Sequence, residues 1–262
     1  MRRLAGMLLG AAVMSAQAQA QEPVRLFAAG SLRTAMTEII KASGVPAEAT
    51  FGPSGLLRGR IEEGENAEVF ASADMDHPGR LEKQGKAGPV RLFARNRLCA
   101  LAAPQVVVAS DTLLARMLDP AVKLGISTPK ADPNGDYAWA LFVRADAVRP
   151  GVREKLEAKA LMLTGGPDSP PPPKDRSQYG QMVAEGKADI FLTYCTNALQ
   201  ARAENPAQRI VQVPAELAVG ADYGLTVLKG ARPEAERFAQ FVLSPPGQAI
   251  LAKHGFAAGD AK

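Results

Sequence analysis

The sequence predicts an α/β fold, in which a parallel or mixed sheet is covered by helices. Short apolar segments of strand length alternate with amphipathic segments of helical period along the chain, which is the pattern of such a fold. Apolar residues make up 47% of the 262 residues, enough for an ordinary buried core and not typical of a disordered chain.

The first twenty residues have the features of a targeting segment. Arg2 and Arg3 precede an apolar run at residues 4–13 that is too short to span a bilayer. The small residues Ala18 and Ala20 then stand where a signal peptidase reads, so cleavage before Gln21 is expected. The alternatives are an uncleaved anchor or a buried helix. The order of the features favours a signal peptide at residues 1–20 and export to the periplasm.

The first half of the mature chain reads as three strand-to-helix units. Residues 24–28 predict a strand, and a helix follows from Ser31 with apolar residues at the spacing of one buried stripe. A strand at residues 49–51 leads through 52–55 into a second helix. A third strand, residues 69–71, ends at residues 72–74. The stripe of the first helix consists of Leu32, Ala35, Met36, Ile39 and Ile40.

The second half continues the alternation. Strands are predicted at residues 98–102, 124–126, 190–194 and 223–228, with helices at 137–143, at 233–243 and ending near 254. The glycines at 165–166 and the prolines at 170–173 indicate a loop, since proline lacks the donor that a helix or strand interior needs. We interpret the proline run as a plain polyproline connector rather than a recognition motif.

The charge does not favour a nucleic-acid partner. The formal net charge is +4, and it falls to +2 once Arg2 and Arg3 leave with the signal peptide. The basic residues are scattered among acidic ones, and aromatic residues amount to only 5%. Nucleic-acid binders concentrate basic residues on one face and often carry aromatic stacking platforms.

Cys99 and Cys195 meet an oxidising compartment if the protein is exported. They either form a disulfide across almost a hundred residues or remain two buried thiols that pack as small hydrophobic groups. The sequence leaves both alternatives open.

Three strand ends pass into helices through small or hydroxylated residues, at 30–31, 53–55 and 134–136. The first turn of a helix has unpaired backbone N–H groups and a partial positive charge, so it attracts anions. Several such turns that converge would hold an anion by neutral hydrogen bonds. Each one alone is more often a simple N-cap.

Four segments resemble the molybdate-binding family of periplasmic proteins: LFAAGSL (26–32), FGPSGL (51–56), IEEGENAEVFASAD (61–74) and FVLSPPGQAIL (241–251). The resemblance covers essentially the whole mature chain. It implies the two-lobed type II periplasmic binding protein fold, each lobe a mixed sheet flanked by helices, joined by a hinge. Lobe 1 would comprise residues 21–98 and 221–262, and lobe 2 residues 99–220. It also implies a monomer without cofactor that serves the inner-membrane permease of an ABC importer.

The same resemblance implies a ligand site of five residues. Ser31 and Ser54 would donate from lobe 1, the backbone amides of Asn134 and Arg176 from lobe 2, and the Tyr194 hydroxyl would complete the cage. The family usually has Ala in place of Asn134 and apolar residues in place of Arg176 and Asp136. These departures leave molybdate, tungstate, another oxyanion, a small organic anion or a metal complex as alternatives.

An enzyme is the competing class of function. Ser54 lies in a GPSG segment, but the nucleophile elbow G-x-S-x-G requires glycine where Leu56 stands. His77, expected in a solvated loop, and His254, in the terminal helix, have no pattern that indicates a general base. Asp74, Asp76 and His77 are more typical of a solvated loop than of a metal site. The sequence therefore predicts no catalytic residue and no protein-bound metal.

Overall fold

A computed structural model describes residues 22–173 and 176–259 of the chain. The predicted signal peptide lies outside these described residues. The strands are β1 Val24–Ala29, β2 Ala47–Gly52, β3 Val69–Ala71, β4 Arg91–Ala102, β5 Leu124–Ser127, β6 Leu161–Thr164, β7 Ile190–Tyr194, β8 Arg209–Gln212, β9 Gly220–Val227 and β10 Ala257–Ala258. The helices are α1 Arg33–Ser43, α2 Ser54–Glu62, α3 Asp76–Lys83, α4 Leu113–Leu118, α5 Pro133–Val148, α6 Val152–Lys159, α7 Gln178–Ala184, α8 Cys195–Glu204, α9 Pro233–Leu243 and α10 Pro245–Lys253.

A mixed sheet runs through the described part of the molecule in the order β2-β1-β3-β9-β4-β7-β5-β6, with β8 and β10 also paired to β4. The long strand β4 contributes to both halves of this sheet. Its residues 91–97 pair with β9, and its residues 98–102 pair with β7 and β8. We use lobe 1 for the elements on the β1–β3 side of this change of partners, and lobe 2 for those on the β5–β7 side. The chain limits given for the lobes above stay a prediction.

The first strand-to-helix unit follows the predicted pattern. Five of the six residues of β1 are buried, because β2 and β3 pair with it in parallel on its two edges and helices cover the sheet. In α1 the buried residues are Ala35, Met36 and Ile39, which lie on the predicted stripe. A 3-10 turn at Gly30–Leu32 connects the two elements, so that Ser31 stands at the end of a buried strand.

One expectation about a loop is wrong. The segment predicted as a solvated loop around His77 begins α3 at Asp76, and His77 is only 6% exposed. Proline is tolerated in the first turn of a helix, where Pro78 stands, and Leu81 anchors the helix in a buried apolar cluster. Among the described residues no group of three His, Cys, Asp or Glu side chains is arranged to hold a metal ion.

The two cysteines form a disulfide, with their Cα atoms 4.9 Å apart. Of the two alternatives, the cross-link is therefore the one that the fold adopts. It ties the part of β4 in lobe 2 to the first residue of α8, directly after Tyr194. No helix within residues 22–173 and 176–259 combines the length and apolar character needed to cross a bilayer.

Candidate ligand-binding site

A cavity of about 240 Å³ lies between the lobes, where several helices begin. Its wall includes Ser31 in the 3-10 turn and Ser54 at the start of α2 from lobe 1. From lobe 2 it includes the N-cap residues of α5 and α8, Asp132 and Tyr194. Four of the five predicted site residues, Ser31, Ser54, Arg176 and Tyr194, share this wall, and Asn134 is not part of it. The ligand-binding role of all five stays a prediction.

Ser31 lies at the end of a chain of hydrogen bonds. The Nδ2 group of Asn96 donates to Thr196 Oγ1 (2.8 Å) and to the Tyr223 hydroxyl (3.4 Å), and the Tyr223 hydroxyl lies 2.9 Å from Ser31 Oγ. The amide orientation of Asn96 is consistent with its Oδ1 accepting from the backbone N–H of Arg97 at 2.9 Å. Either hydroxyl can donate in the contact between Tyr223 and Ser31. When Tyr223 donates, the hydroxyl hydrogen of Ser31 is available to a ligand in the cavity.

The Ser54 hydroxyl is also hydrogen-bonded within the protein, in this case to a backbone donor. Its side chain is fully buried in the protein, and its Oγ accepts the backbone N–H of Ala73 at 3.1 Å. A hydroxyl that accepts from the protein retains its one hydrogen for another partner. Lobe 1 therefore places two serine hydroxyls at one cavity.

Tyr194 contributes a third hydroxyl from lobe 2. The residue is 1% exposed, and its OH group makes no well-formed hydrogen bond in the described part of the chain, with the Tyr223 hydroxyl the neighbouring polar group that acts on it. Burial raises the pKa of this phenol well above its usual range, so it stays protonated and remains a donor. A buried hydroxyl without a partner costs roughly 1–3 kcal/mol, which is removed if a ligand accepts from it.

Asn134 is turned away from the cavity by its neighbours. Its side-chain Nδ2 donates to Ser127 Oγ (3.0 Å) and to the carbonyl of Leu192 (3.2 Å). Its backbone N–H, the group predicted to donate to a ligand, donates instead to Asp132 Oδ1 at 3.0 Å. The anion that occupies this helix start is thus a side chain of the protein itself.

Asp132 is the residue that the sequence reasoning missed. It caps α5, is 9% exposed and forms part of the cavity wall. Burial raises the pKa of its carboxyl to about 6, against the opposing effect of the Asn134 N–H. Gly165, at a φ of +77°, closes over it, since a Cβ there would lie 2.5 Å from Asp132 Oδ2. The signal in the sequence was an aspartate directly before Pro133, a usual N-cap with proline at the first helical position.

Two arginines give the cavity a positive side. Arg176 is exposed at the wall, and Arg33 is half-buried with its guanidinium 4.6 Å from the centre of the Phe51 ring. Burial lowers the pKa of Arg33, and none of the described carboxylates forms an ion pair with it. Sequence reasoning missed Arg33, and it also treated the prolines at 170–173 as a connector, whereas they line the cavity.

The chain is similar to known bacterial proteins along most of its length. The family model described as bacterial extracellular solute-binding protein matches residues 24–257. An uncharacterized protein of Pasteurella multocida is 37% identical over 207 residues, covering 77% of this chain and 86% of its own. The molybdate-binding protein ModA of Azotobacter vinelandii is 34% identical over 189 residues, covering 70% and 68%.

Similarity in structure extends to proteins with other ligands. The sulfate-binding protein SubI of Mycobacterium tuberculosis superposes with a TM-score of 0.74 at 16% identity, over 92% of this chain and 88% of its own. Such a likeness concerns the fold. It confirms the predicted α/β architecture of the type II periplasmic binding proteins, and a fold alone does not choose between ligands.

Proposed function

This chain belongs to the bacterial extracellular solute-binding protein family and, by its similarity, to the molybdate-binding proteins within it, and we propose from this that it captures an oxyanion for an ABC importer. The proposed ligand is molybdate or a similar oxyanion such as tungstate, held between the lobes. The protein would be exported by the signal peptide at residues 1–20, act in the periplasm as a monomer without cofactor, and dock on an inner-membrane permease.

The observation that carries this proposal is the placement of two serine hydroxyls at one cavity. Ser31 Oγ lies 2.9 Å from the Tyr223 hydroxyl, Ser54 Oγ accepts from the Ala73 N–H, and each serine can donate its hydrogen to a ligand. Two converging donors without a buried cation at their centre suit an oxygen-rich anion, which accepts and does not donate. A neutral donor set also avoids the cost of a buried charge when the site is empty.

The lobe 2 side supports the proposal with further donors. The Tyr194 hydroxyl is protonated and makes no well-formed hydrogen bond among the described residues, and the Arg176 side chain is also part of the wall. A ligand that accepts from Ser31 and Ser54 on one side and from Tyr194 on the other binds the closed arrangement better than an open one. Binding would therefore favour closure about the hinge, and the closed form would be the one the permease recognises.

A small organic anion is a second candidate, and the cavity favours it. The cavity measures about 240 Å³, far above the roughly 10–15 Å³ that one water needs on the same measure, so it has room for a ligand with more atoms than an inorganic oxyanion. Arg33 adds a guanidinium for a second anionic group. An organic anion with an oxyanion group at Ser31 and Ser54 would use both features.

A thermal-shift screen of the purified mature protein tests the proposal. The probes are molybdate, tungstate, sulfate, phosphate and a panel of small carboxylates, with chloride as the control anion. A ligand at a hundred times its Kd stabilises the folded state by about 2.7 kcal/mol. A response to molybdate or tungstate supports the first candidate. A response to carboxylates alone contradicts it in favour of the second, and a turnover abolished by Ser54→Ala would contradict the binding role altogether.

A further inference from the structure

The lobe 2 wall of the cavity carries an acceptor where an anion site is expected to carry a donor. The α5 N–H group that would point at a ligand is taken by Asp132 Oδ1, and Asp132 itself is part of the wall. The described residues include no ion pair that neutralises this carboxylate. A ligand that contacts both Ser31 and Asp132 therefore meets a donor at one end and an acceptor at the other.

We propose that Asp132 accepts a hydrogen bond from the bound ligand, so that the cleft selects an anion that carries an O–H group over an equally sized anion that has none. This proposal rests on the proposed function, because it assigns the ligand of that same cleft. The shared chemistry is an anionic oxygen group at Ser31 and Ser54 and a hydroxyl at Asp132. A hydrogen-bearing inorganic oxyanion and a hydroxylated organic anion both satisfy it.

The capping role of Asp132 does not account for the carboxylate by itself. A cap needs one side-chain oxygen as acceptor, and the neutral residues asparagine, serine and threonine supply one without burying a charge. Here the cap uses Oδ1, and the Ser127 side chain also acts on the carboxylate as a donor, while Oδ2 lies beside Gly165, which is also in the cavity wall. The position of Gly165 leaves room for this second oxygen, since any side chain at 165 would overlap it.

Because of the charges around Asp132, its role as an acceptor depends on whether the ligand carries an O–H group. Asp74 and Asp136 act on Asp132 with like charge, and the phenols of Tyr179 and Tyr194 beside it stay neutral because burial raises their pKa. The cations of the wall are Arg33 and Arg176. A fully deprotonated oxyanion would add another negative charge near Asp132. A ligand with an O–H group replaces part of that repulsion with a charge-assisted hydrogen bond.

Two matched ligand pairs test the proposal by calorimetric titration of the mature protein at pH 7.5. Phosphate and sulfate are similar in size and differ in that phosphate carries a hydrogen at this pH. Lactate and propionate differ by one hydroxyl, so the pair that binds identifies the inorganic or the organic source. The variant Asp132→Asn keeps an oxygen for the α5 cap and replaces the other oxygen with a donor. The control variant Asp136→Asn removes the same charge on the same helix outside the cavity wall.

The expected result is that the wild type prefers the O–H member of the pair it binds by tenfold or more, the size expected of a hydrogen bond to a charged acceptor. Asp132→Asn should reduce that preference at least tenfold, and Asp136→Asn should leave it within about threefold. A wild type that binds oxyanions with no preference, or an Asp132→Asn variant with an unchanged preference, overturns the proposal and leaves the proposed function standing. A wild type that binds none of these anions and no molybdate overturns both.

Discussion

The backbone N–H of Gly55 in lobe 1 donates to the carbonyl of Ala131 in lobe 2 at 3.0 Å, so a backbone hydrogen bond joins the two lobes beside the cavity. A Cβ at residue 55 would lie 2.5 Å from the Lys130 carbonyl and 2.7 Å from that of Ala131. Glycine at the start of α2 is therefore a condition for this closed arrangement.

Gly55→Ala should hold the lobes apart without unfolding either of them. The clash is with backbone atoms of the other lobe, which cannot rotate away as a side chain can. We expect affinity for molybdate to fall tenfold or more, and small-angle scattering with ligand present should show the larger radius of the open form. Gly59→Ala is the matched control, because it lies on the same helix with nothing within 4 Å. Equal affinities for the two variants would contradict the closure role of Gly55.

Tyr223→Phe should weaken oxyanion binding through Ser31. The substitution removes the hydroxyl that is hydrogen-bonded to Ser31 Oγ, so the serine hydroxyl is free to turn away from the ligand. We expect a loss of about fivefold, the value of one hydrogen bond of about 1 kcal/mol, by calorimetry with molybdate. In the Ser31→Ala background the same change should have no further effect, because its partner is gone. Additive losses would show that Tyr223 does not act through Ser31.

Molybdate affinity should fall as the pH rises above about 6. Burial raises the pKa of Asp132 to about 6. A bound dianion stabilises the protonated form of this carboxyl, so below that pH the proton is already in place and affinity changes little. Above it a proton must be taken up, and Kd should rise by up to about tenfold per pH unit. Asp132→Asn should flatten the profile, and a wild-type Kd constant between pH 5.5 and 8 would contradict this linkage.

The disulfide should contribute substantially to stability. Cys99 and Cys195 close a loop with a sequence separation of 96, which restricts the unfolded chain. Cys99→Ala with Cys195→Ala should lower the free energy of unfolding by about 2–5 kcal/mol in urea. Reductant should destabilise the wild type similarly and leave the double variant unchanged. Equal denaturation midpoints for the oxidised wild type and the double variant would exclude this contribution.

The sequence predicted the elements whose signal is local. The stripe on α1, the apolar run of β7 and the proline that starts α9 are each written in a few neighbouring residues, and the predicted limits of β7 and α9 match the observed ones. Of the residues that the resemblance assigned to the site, Ser31, Ser54 and Tyr194 lie in the wall of one cavity. The features that were not predicted depend on contacts between residues far apart in the sequence. His77 looked like a loop residue because its burial comes from the surrounding fold rather than from its neighbours in sequence.

The binding site was predicted less completely than the fold, because it too depends on contacts between distant residues. Asp132 has the sequence pattern of an ordinary cap, and only the fold shows that it lines the cavity and that Gly165, far along the chain, packs against its carboxylate. The Asn96–Tyr223–Ser31 chain joins residues separated by up to 192 positions, so no pattern in the sequence indicates it. Arg33 lies two residues after Ser31, at the start of α1. The apolar stripe of that helix indicates which of its residues are buried, and it gives no sign that Arg33 lines a cavity.

The most direct test of the account is a calorimetric titration of the wild type and of Ser31→Ala/Ser54→Ala with molybdate and tungstate at pH 6. The two hydroxyls are the donors that lobe 1 presents, and neither substitution removes an apolar contact of the core. We expect tight one-to-one binding by the wild type, a loss of at least a hundredfold in the double variant, and a ligand-free double variant that still unfolds cooperatively but is less stable by about 1–3 kcal/mol, because the buried Ala73 N–H loses its acceptor. Unchanged affinity in a folded double variant would contradict the proposed oxyanion site.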